Sequence, residues 1–186
     1  GGWVKYSTNT YLGSARSLFS WVALNGTKLL GVGTSVKYYV VQGADFNDIT
    51  PLRRTTTGTA TFSVANGATV ATVTDSNNGS NAGDFVTFSS AASLGGNITA
   101  AVLNQEFEIQ TVPTANTYTI NLSATGNASD SGNGGGSTVA KYQIDCGLDT
   151  QVGGTGWGAG TWQRGTWGSA ADVTTITELA LWSEDN

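Results

Sequence analysis

Glu106 and Glu108 are the residues of this chain best spaced for acid–base chemistry. They alternate with Phe107, so on a strand both carboxylates would share one face, about 7 Å apart at roughly 3.3 Å per residue. Two carboxylates at that separation, with tryptophan nearby, form an arrangement that glycoside hydrolysis can use. A solvated strand face produces the same alternation, and that is the preferred reading. Histidine is absent from all 186 residues, which removes Ser-His-Asp and Cys-His nucleophilic machinery. There is no glycine-lysine phosphate loop, and no dinucleotide fingerprint leads from a strand into a helix. The expectation is therefore a protein that is not an enzyme and uses no cofactor.

Metal chemistry fares no better. The stretch that begins at Asp75 and runs through Asn77, Asn78 and Gly79 to Asp84 superficially resembles a calcium loop. Counted from Asp75, however, the sixth position is Ser80 and the twelfth is Val86, where an EF-hand needs glycine and glutamate. An Asn/Asp-rich connection between strands is the expectation. The single cysteine, Cys146, excludes an intrachain disulfide framework and any Cys-rich zinc site.

The remaining residues with binding potential are tryptophans. Half of the six lie within residues 156–168, as Trp157, Trp162 and Trp167, each within two positions of a glycine. A spacing of five puts successive rings on opposite faces of a strand, or roughly 140° apart around a helix, so neither element presents a three-ring face. A glycine-hinged loop carrying large aromatic anchors fits better. Three roles suit it: a platform stacked on sugar rings, a contact between chains, or plugs for the chain's own sheet. Tryptophan is enriched in interface hot spots, and Arg164 between two of the rings could add cation–π contact. Trp157, Trp162, Arg164 and Trp167 are accordingly the interface or glycan-contact candidates, with assembly placed before sugar binding.

The elements that must hold these residues read as strands. Thr is the commonest residue, charged residues make up only 11% and glycine is abundant, a composition suited to half-buried pleated surfaces joined by turns. Residues 17–24 and 28–33 flank Asn25-Gly26, a strong hairpin signal. Residues 36–41 and 46–49 follow after short turns, which makes an antiparallel meander resembling one propeller blade. Further strands are expected over 60–64, 69–74, 83–88, 103–109 and 117–122, enough for a small β-barrel or sandwich. The threonine run at 55–57 and the glycine-rich stretch at 126–137 read as its linkers, the second as a flexible loop. Residues 138–145 and 173–182 are strand-like again. The fold class is all-β: a parent body of 1–56 and 139–186, propeller-like and incomplete, with an inserted module at 57–138.

A net charge of −5 with scarce Lys and Arg speaks against sequence-specific nucleic-acid binding, which needs clustered cations. No run approaches the roughly 18 apolar residues of a membrane span. The absence of methionine and the strand-like terminal run fit a fragment of a longer polypeptide.

Three stretches together resemble virion structural proteins of tailed bacteriophages. The first is Trp21-Val-Ala-Leu-Asn-Gly-Thr-Lys-Leu-Leu-Gly-Val-Gly-Thr34, with Lys37-Tyr-Tyr-Val40 and Asp48-Ile-Thr-Pro-Leu-Arg53. The second is Gly83-Asp-Phe-Val-Thr-Phe-Ser89, with Leu94-Gly-Gly-Asn-Ile-Thr99 and Leu103-Asn-Gln-Glu-Phe107. The third is Gly156-Trp-Gly-Ala-Gly-Thr-Trp162 with Gly165-Thr-Trp-Gly168 and Leu181-Trp-Ser-Glu-Asp-Asn186. In order, they are similar to the N-terminal part of a large β-propeller-like tail protein of the nozzle or hub type. The resemblance implies a structural role in the virion tail, self-association and contact with other virion proteins. It brings no catalytic residues. The alternative is a carbohydrate-binding adhesin module, on a tail or at a cell surface, that contacts a host-surface glycan through Trp157, Trp162 and Trp167.

Overall fold

The computed structural model describes residues 7–144, 146, 150–152 and 176–178. The protein is all-β, and it divides into two compact units: Thr50–Asp145, and Gly1–Ile49 with Cys146–Asn186. In the latter, β1 (Ala15–Val22), β2 (Lys28–Thr34), β3 (Tyr38–Gln42) and β4 (Asp45–Asp48) form a four-stranded antiparallel meander in chain order. Asn25-Gly26 does turn the chain between β1 and β2, with Gly26 at φ 82°, a left-handed conformation that glycine adopts without steric cost. One face carries the apolar set. Val32, Tyr39 and Val41 are buried there, with Leu30 and Phe46 packed against them. Tyr11, from the segment before β1, lays its ring on Phe46 and Tyr39 at centroid separations of 5.1 and 6.2 Å. That segment is held by bonds from Ser7 Oγ to the Ala44 carbonyl and from the Leu12 amide to Tyr39 Oη. At the β2–β3 corner the buried Lys37 reaches Asp48 Oδ2 at 2.6 Å, because a buried ammonium needs a partner.

The other unit is a single seven-stranded sheet. Its strands are β5 (Leu52–Thr57), β6 (Thr61–Val64), β7 (Val70–Thr74), β8 (Phe85–Ser89), β9 (Glu106–Thr114), β10 (Thr117–Asn121) and β11 (Val139–Gln143), in the order β5-β11-β8-β9-β10-β7-β6. Every neighbouring pair is antiparallel. The two edge strands are joined by residues 58–60 alone, a span of at most about 14 Å, so the sheet has to curl back towards its own beginning. Alternation decides what lies inside. Phe62, Val73 and Tyr118 pair in one inward row, and Ala71, Ile120 and Ile109 in the next. The neighbouring outward rows are hydroxyls. Thr61, Thr74, Thr117 and Thr114 cross four strands, and Ser63, Thr72, Thr119 and Thr111 do the same. Much of the chain's threonine is thus the solvent side of a half-buried sheet. A short helix, α1 (Ala100–Leu103), brings Leu103 into the core beside Ile98 and Leu94.

Two expectations from the sequence fail here. Residues 55–57 are part of β5, paired with β11. Thr56 turns inward while Thr55 and Thr57 stay exposed, so a run of one residue type conceals an alternating strand. The glycine-rich stretch at 126–137 is a strap bonded along its length. Gly126 exchanges bonds with Gly67 and Ala68, Asn133 accepts from the Phe62 amide, Gly132 donates to Leu94 and Gly134 accepts from Ala92. Its glycines answer to close approach. A Cβ on Gly134, already at φ 87°, would lie 2.5 Å from the Phe62 ring, and one on Gly132 would lie 2.9 Å from the Leu94 carbonyl oxygen. The strap bonds the outer side of β6, an edge otherwise left with open backbone groups. Separately, β12 (Thr150–Val152) and β13 (Ile176–Glu178) form an antiparallel pair.

Candidate assembly surface

Trp157, Trp162, Arg164 and Trp167 lie outside the described residues. Among the described residues the most exposed large apolar side chains belong to β1 and the turn that follows it. Leu18 is 66% exposed, Phe19 71% and Val22 64%, and Leu24 in the following turn is fully exposed. Register assigns them to two faces. Phe19 and Trp21 stand opposite Gly31 and Leu29 on one, while Leu18 and Val22 stand opposite Val32 and Lys28 on the other. Leu18 and Val22 therefore extend the apolar face that Tyr11 covers over β3 and β4. On the reverse face the Phe19 and Trp21 rings stack at 5.9 Å with 25° between their planes. Glycine makes room for them: a Cβ on Gly31 would sit 3.3 Å from the Trp21 ring. Sequence reasoning placed a strand here and did not say which of its apolar residues would be exposed. The missed signal is the near-continuous apolar run Leu18-Phe19-Ser20-Trp21-Val22, which a strand with one wet face does not need.

Large apolar side chains on an edge strand have a defined chemistry: they lose water against another protein surface. Aromatic residues are the ones enriched in such contacts.

The carboxylates behave differently. Glu106 and Glu108 are both exposed on β9, and Glu106 Oε2 accepts a 3.0 Å bond from Gln143 Nε2. The loop after Asp75 is held by arginines. Arg54 donates to the carbonyls of Asn77 and Ser76, and Arg53 to the Asn78 carbonyl at 2.6 Å and Ser80 Oγ at 2.8 Å. Guanidinium groups thus take the carbonyls that a cation would need. Among the described residues no group of three or more His, Cys, Asp or Glu side chains is gathered for a metal.

One buried polar cluster closes the curl of the large sheet. Asp75 Oδ2 accepts from Tyr142 Oη and Thr56 Oγ1, each at 2.7 Å, and Oδ1 accepts from Thr59 Oγ1 at 2.8 Å. Tyr142 and Tyr118 hydroxyls meet at 2.9 Å, and the Arg53 guanidinium carbon lies 5.2 Å from the Tyr142 ring centre. Burial pushes both phenols above the ordinary tyrosine range, and the nearby Asp75 adds to this. They remain protonated donors, which suits a structural tie between β7, β10 and β11 rather than proton transfer.

A second cluster fixes the strap. Asp130 accepts backbone bonds of 2.8–3.1 Å from Gly96, Asn97, Ile98 and Asn127. Burial works to raise its pKa, but these amides outweigh it and hold the carboxyl below the usual range. The Asp130 carboxylate is satisfied by backbone amides and that of Asp75 by three hydroxyls, so neither acid is held out to a ligand.

No protein-family description matches this sequence, and no curated protein matches it significantly. Among solved structures, the phage phi92 endosialidase is similar at 16% identity and a TM-score of 0.40, over 63% of this chain. The chain spans 17% of the length of that protein.

Proposed function

We propose that this chain is a non-enzymatic structural component of a phage virion, a subunit of a tail nozzle or hub that assembles through β-rich surfaces. The observation that carries the reading is β1, an edge strand with Leu18, Phe19 and Val22 turned to solvent. The family resemblance of the sequence supplies the setting. In this reading the four-stranded meander belongs to a propeller-like body, and the seven-stranded unit is a module inserted in it. Trp157, Trp162, Arg164 and Trp167 supply further contacts between subunits or with other virion proteins. Quantitative mass spectrometry of purified virions tests this: the protein is expected in stoichiometric amounts, and its absence would sink the proposal.

A further inference from the structure

We propose that β1 pairs antiparallel with β1 of a second copy of this chain, across a two-fold axis through Ser20. The inference rests on the assembly reading above and names its partner. Among the described residues β1 has one neighbour, β2, on one side only. The sheet's other edge is guarded: β4 has four residues, two of them Asp45 and Asp48, and Asn9 Nδ2 bonds Asp45 Oδ1 beside it. Short, acidic edges of that kind discourage pairing. By contrast β1 runs for eight residues with no acid and no proline, and Arg16 near its start is its one charge. A head-to-tail contact of β1 with β4 would set apolar residues against carboxylates. A contact of β1 with itself does not.

The register follows from parity. A two-fold axis perpendicular to a sheet maps each face onto itself, so opposed residues must have numbers of even sum. A sum of 40 places Phe19 opposite Trp21 of the second copy and Leu18 opposite its Val22, with Ser20 on the axis. One face then gathers four aromatic rings, and the other four aliphatic side chains. Sliding the copies to a sum of 38 sets Trp21 against Ser17, and a sum of 42 sets Phe19 against Ala23. Only the first register matches every large apolar residue of the strand with another. It also holds the two Arg16 positions about 26 Å apart along the strands, beyond the screening length at physiological salt. In such a pairing the apolar side chains on each face of β1 gain apolar cross-strand neighbours.

Sedimentation equilibrium of the full 186-residue chain is expected to show a dimer. Phe19→Lys and Leu18→Lys alter opposite faces, and each should weaken that dimer by about 100-fold or more. Both side chains are exposed, so an unchanged circular dichroism spectrum should accompany the loss. In a Cys146→Ser background, Ser20→Cys should form a covalent dimer on mild oxidation, since directly opposed residues lie within disulfide reach. Ser17→Cys should not. A chain that stays monomeric at its highest soluble concentration overturns the pairing, as does a dimer indifferent to both lysine substitutions. A monomeric chain found in virions would reject the pairing while leaving the structural role intact. A dimer cross-linked through position 20 from a protein absent from virions would do the reverse.

Discussion

The two sheets cover an apolar face to very different degrees. In the seven-stranded sheet, curling sets inward rows against each other, and Phe62, Phe88 and Phe107 pack ring to ring with Leu94, Ile98 and Leu103 below them. The four-stranded sheet buries Val32, Tyr39 and Val41, borrows Tyr11 as a lid, and leaves Leu18 and Val22 of the same face in water. A sheet of four strands cannot curl far enough to cover itself. The lesson is that the larger unit buries its apolar rows within itself, while the described strands of the smaller one leave large apolar side chains exposed.

The largest expected effect lies where the core is complete. Phe88→Ala should cost about 3–5 kcal/mol, whereas Phe19→Ala, at a solvated position, should stay within about 0.5 kcal/mol in dilute protein. Urea unfolding followed by tryptophan fluorescence and by far-ultraviolet circular dichroism would measure both. Equal losses would erase the distinction between the sheets.

Next comes the polar tie. Asp75→Ala leaves the hydroxyls of Tyr142, Thr56 and Thr59 without their acceptor and should cost about 3 kcal/mol, against about 1 for Tyr142→Phe. The tyrosines also set an alkaline limit. Their folded-state pKa values are raised, whereas in the unfolded chain they ionise near pH 10, at about the ordinary value. The unfolded state then binds fewer protons, so stability should fall as pH rises through 10. Tyr142→Phe should reduce that decline and Tyr118→Phe with it should flatten it; a slope that survives both substitutions would assign it to other groups.

A smaller loss, about 2 kcal/mol, is expected for Gly134→Ala, from its positive φ and the contact with Phe62. Hydrogen exchange at the Phe62 amide should accelerate along with it. If Gly134→Ala is neutral, the strap does not hold the edge of β6.

The last effect appears only in acid. Asp130 has a depressed folded-state pKa, so its contribution is present above the ordinary carboxylate value and is lost as pH falls through the lower, folded value. The stability gap between the native protein and Asp130→Asn, followed by thermal melts from neutral pH downward, should narrow over that range. A constant gap would mean that the Asp130 charge is immaterial.

Local signals made much of this legible in advance. Asn25-Gly26 marks a real turn, with Gly26 at positive φ. The alternation Tyr118, Ile120 against Thr117, Thr119 places β10 with one face inward. The failures share a cause. Leu52–Thr57 and the strap at 126–137 have no apolar periodicity of their own, because their structure is imposed by partners distant in sequence: β11 for the first, and Phe62 and Leu94 for the second. The helix Ala100–Leu103 is a single turn, too short for a 3.6-residue period to be read.

Sequence by itself determined the β class, the positions of most strands and the lack of histidine chemistry, since these depend on residue type and near-neighbour spacing. Only the tertiary structure decided which edges are closed and which, among the described residues, have no neighbouring strand. The glycines of the strap serve close contact, the loop after Asp75 is capped by Arg53 and Arg54, and the apolar run of β1 faces water on both sides. Burial and edge satisfaction belong to strands far apart in the chain, so no local pattern encodes them.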